Sequence, residues 1–86
     1  MDFTCSYCGH SGNDVTLHWD HATPAPQGGL TVVPACSSCN LQKGNKSPLQ
    51  FARWLWQHPA DMRCGHPHVD SNRLWFVQRT LALPVA

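Results

Sequence analysis

Two Cys-x-x-Cys pairs, Cys5-Ser-Tyr-Cys8 and Cys36-Ser-Ser-Cys39, set the strongest constraint on how this chain folds. Thiolate pairs at this spacing read as a tetrahedral four-cysteine zinc site. Closing such a site ties the N-terminus to the middle of the chain and loops out what lies between. That looped segment contains Asp20-His21-Ala-Thr-Pro24, and Asn40 follows the last cysteine directly. A zinc that only stabilised the fold would not need a polar cluster beside it.

A chain of 86 residues is near the size at which an apolar core alone is marginal. Zinc–thiolate binding energy is also folding energy, so a structural metal supplies the deficit. An apolar content of 42% and four tryptophans argue for a folded chain. No basic stretch followed by an apolar one opens the sequence, and no apolar run approaches the ~18–20 residues that span a membrane. A cytoplasmic protein with reduced cysteines is expected, in preference to a secreted, disulfide-bonded one. The net charge of +1 announces no strong field for nucleic acid. Phosphate contacts must come from local clustering of the six Lys and Arg.

The local pattern is strand, loop, strand, helix. Ser11-Gly12-Asn13-Asp14 is turn chemistry after the first knuckle. Residues 15–20 alternate as a short strand, with Val15, Leu17 and Trp19 on one face and His18 and Asp20 on the other. Pro24, Pro26, Gly28 and Gly29 break regular structure, and residues 30–33 form the second strand. Ser37 or its neighbour caps a helix to about Lys43, where Gly44 supplies the left-handed stop. Ser47-Pro48-Leu49-Gln50 opens a further helix as a capping box, ended by Pro59. Residues 58–69 read as a polar loop. A last helix starts at Asp70 or Ser71, carries Leu74, Val77 and Leu81, and ends before Pro84.

With Asp20-His21-x-x-Pro24, Gly28-Gly29, Cys36-x2-Cys39-Asn40 and Lys43 in order, the stretch from Cys5 to Pro48 resembles the HNH endonuclease family in its four-cysteine zinc form. The resemblance covers about half the chain. It implies a small α+β fold, the ββα-metal finger: a hairpin with a long loop, then a helix. Two further C-terminal helices follow. The domain is read as residues 1–86, with a zinc-stapled catalytic unit at 1–46 and a helical extension at 47–86. By position, the resemblance makes His21 the general base and Asp20 and Asn40 the ligands of a catalytic divalent cation. It makes Lys43 a basic residue near the scissile phosphate, and Cys5, Cys8, Cys36 and Cys39 the structural Zn²⁺ ligands. Oxygen donors of this kind suit Mg²⁺, and neutral imidazole, the main form at pH 7 for an ordinary histidine, accepts a proton from water.

Two positions depart from the family pattern. Thr31 stands where members usually carry Asn, a residue that braces the loop orienting the histidine; one hydroxyl replaces an amide donor and acceptor. Gly44 stands where some members place a further metal-binding histidine, leaving two protein ligands.

Blander readings accompany the sharper ones. Lys43 alone is a helix-end cation, and His18 a solvated strand residue. Cys64, His66 and His68, with His58 upstream, are a polar loop before they are a second zinc site. Trp54, Trp56 and Trp75 read as core, except that Trp54 and Trp56 cannot both face inward on one helix. Lys46 and Arg53 are candidate nucleic-acid contacts; Arg73 and Arg79 are phosphate contacts or solvated charges. The expected function is metal-dependent hydrolysis of double-stranded DNA, with a homodimer as one arrangement, and the alternative is a four-cysteine module that binds without cutting.

Overall fold

The computed structural model describes residues 3–13, 15–23, 28–29, 31–64 and 72–83. It is a small α+β structure: strand β1 (Leu17–His21), strand β2 (Val32–Cys36), then helices α1 (Ser37–Lys43), α2 (Pro48–Gln57) and α3 (Leu74–Leu81), with a 3₁₀ turn at Pro59–Asp61. The strands pair antiparallel in a register that sets Leu17 opposite Cys36, Asp20 opposite Val33 and His21 opposite Val32.

β2 runs two residues beyond Pro34, past the end expected at residue 33. In a two-stranded sheet each strand is an edge, so the amide hydrogen that Pro34 lacks removes no ladder bond on its outer side. Pro34 instead gives its carbonyl to the Ser6 amide at 2.9 Å, joining the first knuckle to the hairpin. The strand then enters α1 without a loop, and Cys36, the neighbour of Ser37, is the cap: its sulfur accepts from the Cys39 amide at 3.4 Å. Gly44 ends the helix at φ 53°.

α2 opens as the sequence implies. Ser47 Oγ accepts from the Gln50 amide at 3.2 Å, and Gln50 Oε1 accepts from the Ser47 amide at 2.8 Å. α3 begins at Leu74, later than expected. Asn72 is held in a short antiparallel bridge to Arg63, and Arg73, whose amide donates to Met62 O at 2.7 Å, is the N-cap, its carbonyl accepting from the Val77 amide at 3.0 Å. Asp70 and Ser71, the expected start, lie outside the described residues, as do Pro24, Pro26, His66 and His68.

The core joins the zinc-knuckle half to the helical half. The Tyr7 ring packs edge-on against Phe51 (5.5 Å between centroids) and Phe76 (4.9 Å), beside Ala52, Leu55 and Val77. Edge-to-face geometry is the favoured arrangement for such rings. The alternation expected of β1 holds in part. Leu17 packs on the core, but Trp19 is 62% exposed and leans against Phe3, while Asp20 is buried. The reading of three tryptophans as core also needs correction: Trp54 is half-buried on Phe51, whereas Trp56 and Trp75 are more than half exposed. Among the described residues, no helix is long and apolar enough to cross a membrane.

Candidate active site and metal centre

The four expected zinc ligands converge. In the first knuckle the Cys5 amide donates to His10 O and the Gly9 amide to Cys5 O, a tight turn that Gly9 permits at φ 81°. The second knuckle is the β2–α1 junction. The ligand sulfurs of Cys5, Cys8, Cys36 and Cys39 all lie within 4.8 Å of one another, and all four residues are buried. Cys8 Sγ to Cys36 Sγ is 3.8 Å, close to the ~3.8 Å edge of a tetrahedron with Zn–S bonds of about 2.3 Å. An all-sulfur, all-buried donor set suits Zn²⁺ and offers nothing to a hard cation.

Three further residues stand at this centre. Cys64 is buried with its sulfur 3.4 Å from Cys36 Sγ and 3.6 Å from Cys39 Sγ, not in a polar loop as the local sequence suggested. His10 is 2% exposed, with Nδ1 3.5 Å from Cys8 Sγ. Arg73, read as a surface charge, is fully buried. Its Nε donates to Cys39 Sγ at 3.2 Å and its Nη2 to Ser38 Oγ at 3.3 Å; Nη1 donates to Asp61 O at 2.9 Å and also to Gln42 Oε1. Burial works against the charge of Arg73, but the thiolates of Cys39 and Cys64 outweigh it and raise its pKa. The signal for Cys64 was its being a fifth cysteine in a chain expected to use four. Nothing local marked Arg73, because its partners are far away in sequence.

Beside the cysteines, β1 and α1 build a second polar cluster. Asp20, 7% exposed, accepts at Oδ2 from the Tyr7 hydroxyl at 2.8 Å, and Lys43 Nζ lies 3.0 Å from the same oxygen. Lys43 also donates to the backbone carbonyl of His21 at 2.9 Å. Burial, together with the Asp20 carboxylate at its hydroxyl, raises the Tyr7 phenol far above its ordinary value. His21 is exposed at the end of β1, opposite Val32. Asn40 is half-buried on α1, one turn before Lys43 and on the same side of the helix. The structure thus brings Asp20, His21 and Lys43 together and puts Asn40 on the adjoining helix face. Lys43 has no exposed surface, and its ammonium is spent on Asp20 and His21 O. Thr31 holds the loop by its backbone, accepting from the Ala22 amide at 3.1 Å.

Lys46 and Arg53 lie apart from this cluster. Together with Asn45, Gln50, Trp54 and Gln57 they line a shallow groove of about 590 Å³. Lys46 Nζ sits 5.1 Å from the Trp54 ring centroid and donates to Gln42 O, while Arg53 is exposed. His58, once a candidate ligand, is exposed and stacked on Trp54.

Residues 5–46 match the family model described as HNH endonuclease. No curated protein and no solved structure matches the chain. The matched span begins at the first zinc ligand and ends two residues after Gly44, so it contains both knuckles, the hairpin and α1. The hairpin, the helix and the four-cysteine cluster are consistent with the ββα-metal fold in its zinc form. Over Cys5–Lys46, just under half of its length, the chain carries an HNH endonuclease domain match.

Proposed function

We propose that the protein is a metal-dependent endonuclease that hydrolyses phosphodiester bonds of double-stranded DNA, with His21 as general base. One observation carries the reading: His21 is exposed while the residues around it are fixed. Its backbone carbonyl is held by Lys43, its neighbour Asp20 is held by Lys43 and Tyr7, and its strand is paired to β2. An imidazole at the surface, on a backbone that cannot drift, is what abstracting a proton from an attacking water requires.

Asp20 and Asn40 would hold the divalent cation. Tyr7 and Lys43 both meet the Asp20 carboxylate at Oδ2, and the carboxylate and amide oxygens are hard donors of the kind Mg²⁺ takes. When bound, that ion supplies Lewis-acid stabilisation of charge on the phosphate and the leaving oxygen. The chain's own residues do the rest. His21 takes the proton, Lys43 and Tyr7 fix the carboxylate, and Lys43 acts through Asp20 and His21 without touching phosphate. Lys46 and Arg53, which both line the groove, serve as backbone contacts for DNA. We read residues 1–86 as one unit, in which the helical extension completes the core behind the site. Cutting both strands with one such site per chain calls for two copies.

A second reading, a zinc module that binds nucleic acid or protein without cutting, has one observation in its favour. The Lys43 ammonium lies directly on the carboxylate that a cation must share. Incubation with supercoiled plasmid separates the two readings: nicking with Mg²⁺ and none with EDTA is expected of the nuclease. No cutting under any divalent cation, by zinc-loaded protein that still binds DNA, would leave the module.

A further inference from the structure

The zinc centre holds more ligands than one tetrahedral ion can use. Cys5, Cys8, Cys36 and Cys39 complete a four-coordinate site. Yet Cys8 belongs also to a second group of ligand atoms, with a ring nitrogen of His10 and Cys64 Sγ, mutually within 4.8 Å and all buried. We propose that this protein binds two zinc ions in one thiolate-bridged cluster, the second ion held by Cys8, His10 and Cys64, with Cys8 shared between the two.

Geometry supplies the first argument. A zinc with one Zn–S bond of about 2.3 Å and one Zn–N bond of about 2.05 Å at the tetrahedral angle sets S and N roughly 3.6 Å apart. Cys8 Sγ to His10 Nδ1 is 3.5 Å. Cys8 Sγ thus serves both sets, and Cys64 Sγ lies 3.4 Å from Cys36 Sγ and 3.6 Å from Cys39 Sγ, against the first set. With Cys8 shared, six protein ligands give one ion four donors and the other three, and a water would complete the second tetrahedron.

Charge supplies the second. A coordinating thiol is deprotonated outright, and a buried net charge is costly. Four thiolates around one divalent cation leave two negative charges, and Arg73 cancels only one of them. Five thiolates around two divalent cations leave a single negative charge. The fully buried Arg73 guanidinium, donating to Cys39 Sγ and aimed at Cys64 Sγ from 3.9 Å, balances it. Two ions therefore make the centre neutral, and one ion does not.

Position supplies the third. His10 lies two residues beyond Cys8 on the first knuckle, while Cys64 arrives from beyond α2, in the half of the chain that lies outside the family match. The second ion would thus tie the C-terminal half to the hairpin through a metal bond as well as through the aromatic core.

The test is metal stoichiometry of the full chain, purified with zinc in excess and freed of loosely held ion. Two zinc per chain are expected. Cys64→Ser and His10→Ala should each lower the count to one, with Cys5, Cys8, Cys36 and Cys39 still loaded and the fold retained. A His66→Ala, His68→Ala double variant should keep both ions. One zinc per chain in the wild type overturns the proposal, as does a second ion lost with His66 and His68 but kept without Cys64. Should the single variants fail to fold, ¹¹³Cd-substituted wild type decides alone. Two resonances that split each other through a shared sulfur are expected, and a single resonance, or two without mutual coupling, overturns the bridge.

Discussion

Lys43 Nζ lies 3.0 Å from Asp20 Oδ2, with neither side chain more than 8% exposed, and this ion pair locks α1 to the strand that ends in His21. The same ammonium reaches the His21 carbonyl, so one buried cation sets both the carboxylate and the backbone of the proposed base. Removing one partner of such a pair leaves a buried charge uncompensated.

Lys43→Met should therefore destabilise the fold by about 3–5 kcal/mol, measured by denaturant unfolding at saturating zinc. Pairing it with Asp20→Asn should cost less than the sum of the two single changes. A loss under about 1 kcal/mol, in the range of an exposed ion pair, would contradict the burial assigned to it.

Tyr7 is the only tyrosine in the chain, so its ionisation can be followed directly by ultraviolet absorbance. Burial and the Asp20 carboxylate raise its folded pKa above the unfolded value, so the folded protein keeps the proton where the unfolded chain releases it. The unfolded state then binds fewer protons, and stability declines as pH climbs beyond the unfolded value near ~10. Tyrosinate should appear only together with unfolding. Reversible ionisation near pH 10 with the fold intact would contradict the buried Tyr7–Asp20 hydrogen bond.

Zinc removal should unfold the chain. Structural zinc contributes on the order of 10 kcal/mol of apparent binding energy, comparable with the whole stability of a small domain. Chelation, or Cys39→Ser, should abolish the near-ultraviolet dichroism of the tryptophans. A cooperative unfolding transition that survives complete metal removal would count against a structural role for the cysteines.

DNA binding should be modest and steep in salt, because a chain of net charge +1 binds through a local cluster. Each phosphate contact contributes roughly 0.9 to the slope of log affinity against log salt. Lys46→Ala and Arg53→Ala should each lower that slope by about 1 without changing cleavage chemistry. Unchanged slopes would move the interface off the Lys46–Trp54 groove.

Much of this architecture was legible because its signals are local. Cysteine spacing, the Ser47–Gln50 capping box and Gly44 each act within a turn or two, and each appears as the sequence implies. What the sequence hid depends on distant partners. Asp20 lies inward because Tyr7 and Lys43 hold it there, while Trp19 is exposed, so alternation placed Leu17 but neither Trp19 nor Asp20. Arg73 reads as a surface charge until the thiolates it faces are folded against it. β2 outlasts Pro34 because the sheet has only two strands. Asp20, His21 and Lys43 were named from the motif, but burial gives Lys43 a positioning task on Asp20 that spacing could not reveal.

The most direct test of the nuclease account is plasmid cleavage by His21→Ala, with zinc content, fold and DNA affinity measured on the same sample. Loss of a general base typically costs ~10²–10⁴-fold. Cleavage should fall by that factor while the other three properties hold, and added imidazole should restore part of it. A His21→Ala protein that folds, binds and cuts at the wild-type rate would contradict the assignment of His21 as the base.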